Sequence, residues 1–145
     1  MNQEEFNLKA LNDIYKNAHI ALQSITDLLP AVQDKELKQE LESQYQGYEN
    51  CIENIKKVFS EKNETPKDIN FMKKAMLWGS IKMKTLMNSS RNQVAEMMIN
   101  GTVMGINELT AMKNESENLN QDTLACLDQL LSLEEEYEQR LKKFL

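Results

Sequence analysis

Apolar residues recur at steps of three and four along almost all of this 145-residue chain. The first such segment contains Leu8, Leu11, Tyr15, Ala18, Leu22, Ile25 and Leu29. These steps place side chains on one face of an α-helix, as in long helices that pack side by side. Four glycines and two prolines are too few for the many tight turns of an all-β fold. The sequence therefore predicts an all-α protein.

The periodic segments divide into five predicted helices, at about residues 3–29, 34–62, 69–87, 90–113 and 122–144. Pro30 ends the first, Asp34 is an expected N-cap of the second, and residues 88–90 separate the third from the fourth. The helix at 69–87 is long enough to run the length of a bundle. We predict one domain over residues 1–145: an antiparallel four-helix bundle with an additional helical crossover between its second and third long helices.

Charge and hydropathy exclude several classes of function. A net charge of −6 disfavours binding to nucleic-acid backbones and to anionic membrane surfaces, which depends on clustered Lys and Arg. No apolar run is long enough for a membrane span, and the first residues do not resemble a signal peptide. Cys51 and Cys126 each lie beside an apolar helical position and form no CxxC pair, so we expect buried free thiols. A cytoplasmic location is predicted.

The order of three further segments suggests a family. The second predicted helix ends at Asn63-Glu64-Thr65-Pro66, and an amphipathic crossover follows it. Next come Ala95-Glu96-Met97-Met98-Ile99-Asn100-Gly101-Thr102 and a closing Glu-rich helix. In this order, over nearly its whole length, the chain resembles small uncharacterised bacterial ferritin-like (rubrerythrin-like) proteins. The resemblance implies a ferritin-like bundle with a carboxylate-rich centre, and it implies no activity.

The metal ligands of ferritin-like proteins are not retained. A di-metal site in such a bundle takes a carboxylate from each of two helices and a Glu-x-x-His motif from each of the other two. At the expected carboxylate positions this chain has His19, its one histidine, and Thr102. The nearest equivalents of the motifs are Glu42-x-x-Tyr45 and Glu134-x-x-Tyr137. Tyrosine has a reference pKa of about 10 and is a poor ligand at neutral pH. We therefore predict no cofactor.

Glu134 nevertheless occupies a position where the apolar pattern calls for a hydrophobic residue. A charged carboxylate there costs several kcal/mol (~3 or more) unless it is paired or bound. We predict a polar cluster inside the bundle made of His19, Tyr45, Tyr48, Glu108, Glu134 and Tyr137. Two interpretations stay open. The groups satisfy one another's hydrogen bonds, or Glu134, Glu108 and His19 hold iron, another divalent metal or a small ligand.

A second group of residues suggests an interface. Its members are Met72, Met76, Trp78, Met83, Gly101 and Gly105, with core packing as the alternative interpretation. No nucleophile elbow and no phosphate-binding glycine loop is present in the sequence. We predict a non-enzymatic structural or interaction protein that forms a homodimer or binds a protein partner. The alternative is a divergent metal- or small-ligand-binding ferritin-like protein.

Overall fold

The computed structural model describes residues 2–67 and 90–145. In these ranges it has four long α-helices and no strand: α1 (Gln3–Leu28), α2 (Lys35–Glu61), α3 (Arg91–Asn114) and α4 (Gln121–Lys142). The predicted all-α class is thereby confirmed, and each helix begins and ends within two residues of its predicted bounds. The predicted crossover helix at 69–87, with Met72, Met76, Trp78 and Met83, lies outside the described residues.

Three helices begin at side-chain caps. Asn2 accepts a hydrogen bond from the backbone N–H of Glu5 at the start of α1. Asp34 accepts one from the N–H of Leu37 at 2.9 Å, which confirms the predicted cap of α2. Ser90 forms a capping box at the start of α3. Each cap satisfies a backbone donor that has no partner inside its helix, so these short polar side chains determine where the helices begin.

Two hydrogen bonds between α1 and the second half of the chain show the direction in which α3 runs. The Asn7 side-chain amide donates to the carbonyl of Asn118, just beyond the end of α3, at 3.1 Å. Further along α1, the Asn17 side-chain amide donates to the carbonyl of Gly105, in the middle of α3, at 3.2 Å. Residue numbers thus rise along α1 while they fall along α3, so the two helices are antiparallel.

Ion pairs align α2 with α4 in the same way. Arg140 lies 2.9 Å from Glu40, and Lys62 lies 3.2 Å from Asp122, so these helices are antiparallel. The short connection that contains Pro30 makes α1 and α2 antiparallel as well. Since α2 and α3 both oppose α1, they run parallel to each other. The end of α2 and the start of α3 therefore lie at opposite ends of the bundle.

The centre of the bundle is a continuous apolar core to which all four helices contribute side chains. Its fully buried members include Leu11, Ile14, Ile25, Leu28, Leu37, Leu41, Ile55, Phe59, Leu109, Leu127, Leu130 and Leu141. Each such side chain contributes roughly 1.5–3 kcal/mol by leaving water. Cys51 and Cys126 are buried free thiols, as predicted. Within the described ranges, no helix combines the length and apolar character that a membrane crossing requires.

Candidate functional site

Glu134 is a buried carboxyl group in the middle of α4. It follows Leu127 and Leu130 at helical spacing, so it faces the core, and only 1% of its surface is exposed. Its Oε1 atom has no hydrogen-bond partner. Burial, and then the negative charge of Glu108, raise the pKa of the Glu134 carboxyl to about 8. The group is therefore mainly protonated at neutral pH.

Glycine on the neighbouring helix makes room for this carboxyl group. Glu134 Oε1 lies 2.6 Å from the position that a Cβ atom on Gly105 would occupy. The Gly105 carbonyl accepts from the Asn17 amide, whose nitrogen is also 3.4 Å from Glu108 Oε2. Asn17 is 6% exposed, and its Oδ1 atom has no partner. We call Asn17, Gly105, Glu108 and Glu134 the Glu134 cluster; it joins α1, α3 and α4.

Glu108 is exposed to solvent, so the prediction that it is buried is wrong. The next residue, Leu109, takes the core-facing position, and one helical step of about 100° leaves Glu108 at the outer edge. From this edge its carboxylate reaches Asn17 but stays in contact with water. The Glu134 cluster consequently contains the Glu108 carboxylate at its solvent-exposed edge and the neutral carboxyl group of Glu134 in its buried part.

Tyr48 and Tyr137 are both buried, and the negative charge of Glu134 acts on Tyr48. Their ring centroids are 5.4 Å apart at an interplanar angle of 72°. The hydroxyl oxygen of Tyr137 lies where a Cβ atom on Gly47 would be, so α2 also carries a glycine that admits an α4 side chain. Burial raises the pKa of Tyr137 to about 12 and that of Tyr48 well above its usual range. Both phenols are neutral at physiological pH, and neither offers a phenolate to a metal.

His19 lies apart from the Glu134 cluster. Its ring packs at 4.4 Å against Tyr15, and its Nε2 atom is buried without a partner. Burial, and then the charge of Lys56 on α2, lower the pKa of His19. His19 comes two residues after Asn17, about 200° further round α1, so Asn17 faces α3 while His19 is on the α2 side. Tyr45, half-buried against the core, completes the predicted set.

Two residues of the site were missed in the sequence. Asn17 lies among the apolar residues of the first helix and has no distinguishing motif around it. Gly47 interrupts the pattern of α2, and a glycine inside a helix does signal that another group approaches closely. Across residues 2–67 and 90–145, no three His, Cys, Asp or Glu side chains come together in a metal-binding group.

The outer face of α3 is a second candidate site, of a different kind. The eleven residues from Met97 to Asn107 include no charged side chain. Met104, in the middle of this stretch, is 73% exposed. A Cβ atom on Gly101 would meet none of the described atoms within 4 Å. Gly105, the other predicted interface glycine, packs inside the bundle against Glu134 instead.

The outer face of α2 is more highly charged. The exposed residues of α2 include Lys35, Glu36, Lys38, Glu42, Glu53, Lys56, Lys57 and Glu61. The exposed charged residues of α3, Arg91, Glu96, Glu108 and Lys113, lie on either side of this stretch. The stretch from Met97 to Asn107 on α3 thus differs from α2 in having no charged side chain.

Comparisons with known proteins give a family and nothing narrower. No curated protein and no solved structure matches the chain. A family described as a domain of unknown function, DUF892, matches residues 2–145, which is almost the entire length that carries the four helices and both candidate sites. The chain belongs to the DUF892 family.

Proposed function

We propose that this protein is a non-enzymatic, ferritin-like helical bundle that acts through its helix surfaces as a homodimer. The parallel directions of α2 and α3 support the ferritin-like part of the proposal, because bundles with one long crossover connection have this arrangement. The lack of a nucleophile elbow and of a phosphate-binding glycine loop in the sequence supports the non-enzymatic part.

The exposure of Met104 carries the proposal. Met is enriched in protein interfaces, whereas Lys and Glu are depleted there, and the stretch around Met104 follows both trends. A long, unbranched thioether side chain adapts to the shape of a partner surface. In the single chain 73% of the Met104 surface is exposed to water, and a second molecule that covered this side chain would gain hydrophobic stabilisation.

Light scattering after size-exclusion chromatography, over a wide range of protein concentration, tests self-association. We expect a dimer for the native chain and a dimer weakened by about ten-fold or more for Met104→Glu, because a buried unpaired carboxylate is costly. Ala125→Glu adds the same charge to the exposed face of α4 and is expected to leave the dimer intact. A native chain that stays monomeric at every concentration would remove the proposal.

A second candidate function is binding of a small cation or polar ligand in the Glu134 cluster. It is favoured by two oxygen atoms, Glu134 Oε1 and Asn17 Oδ1, that are buried without partners in residues more than nine-tenths buried. Carboxylate and amide oxygens are suitable ligands for hard divalent ions such as Mn²⁺. Because Glu134 must lose its proton to bind a cation, such binding would strengthen as the pH rises through about 8.

Calorimetric titration with Mn²⁺, Fe²⁺ or Zn²⁺, followed by desalting and elemental analysis, tests this candidate. Near-stoichiometric metal that Glu134→Gln abolishes, with unchanged helical circular dichroism, would support it. His19→Gln is the matched control, because His19 lies on the α2 side of α1 and is expected to leave binding unchanged. Metal-free protein that melts identically with and without added ions would exclude it.

A further inference from the structure

Gly101 is a glycine inside a helix for which the described residues give no packing reason. Glycine in a helix interior is less favourable than alanine, because it loses more backbone freedom on folding. At Gly47 and Gly105 an alanine methyl group would overlap an α4 side chain. At Gly101 the same methyl group would meet none of the described atoms within 4 Å, so alanine would fit there. The space that this glycine leaves open lies on the outer surface of α3.

Met104, one turn further along α3, is the side chain that lies beside this open space. Long side chains on a helix lean towards the preceding turn, so the thioether of Met104 extends over the residues three and four positions earlier. These residues are Gly101 and Asn100, and both are exposed. Because Gly101 has no side chain, it cannot cover its neighbour. Accordingly, 73% of the Met104 surface is exposed.

The other sulfur atoms in the described part of the chain are shielded. Met98 is 7% exposed, and Met97 and Met112 pack against the core. Cys51 and Cys126 are buried free thiols. Burial raises the pKa of the Cys51 thiol to about 11, and it raises the pKa of Cys126 as well. Peroxides react with the thiolate form, which is scarce at neutral pH in both residues. The exposed thioether on α3 is thus the most accessible sulfur atom in residues 2–67 and 90–145.

We propose that Met104 is a modification site, at which a hydroperoxide converts the thioether to a sulfoxide and a dithiol reverses the change. In the forward step the sulfur lone pair attacks a peroxide oxygen, an S–O bond forms and the O–O bond breaks. Sulfur loses two electrons, and the proton of the transferred hydroxyl group passes to the departing oxygen, which leaves as water or an alcohol. In the reverse step the sulfoxide oxygen leaves as water, and the dithiol is oxidised to a disulfide.

The position of Met104 makes this modification compatible with the fold. A sulfoxide is polar, so it disrupts an apolar core but is readily solvated at an exposed position. Met98 belongs to the core, whereas Met104 lies on the outer face of α3. Modification at Met104 therefore makes an apolar part of the α3 surface polar and leaves the chain folded. The inference concerns the single chain, so it goes beyond the proposed function and does not depend on the proposed dimer.

Timed treatment of the full chain with hydrogen peroxide, followed by peptide mass spectrometry, tests the site. The protein is kept at a concentration at which light scattering shows a monomer, so that association does not shield α3. We expect Met104 to be oxidised about ten-fold faster than Met98, because oxidation follows exposure. Cys51 and Cys126 should remain free for alkylation after unfolding. A dithiol with a methionine sulfoxide reductase should restore the original mass of the Met104 peptide.

Met104→Leu is the matched variant, because it keeps an apolar side chain of similar size and removes the sulfur. We expect peroxide to change the Tm and circular dichroism of the native chain and of this variant equally, since the Met104 sulfoxide leaves the fold intact. Oxidation of Met98 as fast as Met104, or earlier loss of the two thiols, would overturn the assignment. A Tm that peroxide lowers in the native chain but not in Met104→Leu would overturn it too, because the modification would then damage the fold.

Gly101→Leu tests whether the glycine keeps the thioether open. Residues three positions apart on a helix are neighbours, so the new side chain would lie beside Met104 and is expected to slow its oxidation by about three-fold. Ala125→Leu adds an apolar side chain to the exposed face of α4 and is expected to leave the rate unchanged. Oxidation of Met104 at the native rate in Gly101→Leu would contradict the role of the glycine.

Discussion

Glu134 Oε1 lies 2.6 Å from the point where a Cβ atom on Gly105 would be. Two α4 residues one turn apart thus each project towards a glycine of a neighbouring helix: Glu134 towards Gly105 on α3, and Tyr137 towards Gly47 on α2. Glycine inside a helix costs about 0.5–1 kcal/mol relative to alanine. Both glycines accordingly serve the packing of polar α4 side chains, and substitutions at them have predictable signs.

Gly105→Ala and Gly101→Ala form a matched pair on one helix. We expect Gly101→Ala to stabilise the monomer by about 0.5–1 kcal/mol, because its methyl group enters open space and the helix gains propensity. Gly105→Ala displaces the Glu134 carboxyl group, so its free energy of unfolding is expected to be lower than that of Gly101→Ala by roughly 1–3 kcal/mol. Urea denaturation at low protein concentration measures both. Equal effects would mean that Glu134 moves aside freely.

Gly47→Ala is expected to destabilise the protein by about 1–3 kcal/mol, because the new methyl group would overlap the Tyr137 hydroxyl. The ring cannot easily retreat, since it packs at 5.4 Å against Tyr48 and at 5.0 Å below the Arg140 guanidinium. Combining Gly47→Ala with Tyr137→Phe removes the overlapping oxygen and should recover part of the loss. Thermal denaturation of the two variants checks this, and a stabilising effect of Gly47→Ala alone would contradict it.

The helices were predictable because their apolar spacing, caps and breaks are local signals. Asp34 caps the second helix as predicted, Ser90 at the end of the predicted break caps α3, and the bounds differ by two residues or fewer. The polar site was harder to predict, because it depends on helix rotation. Successive residues are about 100° apart around a helix, so a small rotation of the helix decides whether a side chain meets α2 or α3. A wide apolar face is compatible with several such rotations, so the sequence does not determine the rotation closely enough.

His19 and Asn17 illustrate this difference. The sequence predicts His19 in the polar cluster, because histidine can bind metals. In the structure it is Asn17, two residues earlier, that contacts Gly105 and Glu108. Glu134 was predictable because it is a charged residue in an apolar seam, which a sequence shows directly. The glycines carry a sequence signal for close approach, but only the packed structure shows which atom approaches them.

His19 gives a titration that can be followed alone, since it is the one histidine of the chain. We expect an NMR midpoint below 6.5, because burial disfavours the protonated ring and the charge of Lys56 adds to this. Lys56→Gln should raise the midpoint while leaving it below 6.5, since burial is the larger cause. Lys57→Gln, one exposed position further along α2, is the control and should not shift it. A midpoint unchanged by Lys56→Gln would contradict an effect of the Lys56 charge on His19.

Glu134 makes the stability of the fold depend on pH in a direction that can be stated in advance. Its pKa rises from 4.5 to about 8 on folding, so between these values the folded state holds more protons than the unfolded state. The free energy of unfolding from this group therefore falls by about 1.4 kcal/mol per pH unit as the pH rises, and it levels off above about pH 8. The stability attributable to the neutral acid is thus present in full below about pH 4.5.

Glu134→Gln keeps the shape of this side chain and removes its titration. The difference in unfolding free energy between the native chain and this variant cancels the contributions of other groups, including His19. We expect that difference to move in favour of the variant as the pH is raised from 5 to 8, as followed by urea denaturation at a series of pH values. Parallel pH profiles for the two proteins would show that folding does not raise the pKa of Glu134, so that its carboxyl group would be ionised in the folded state at neutral pH.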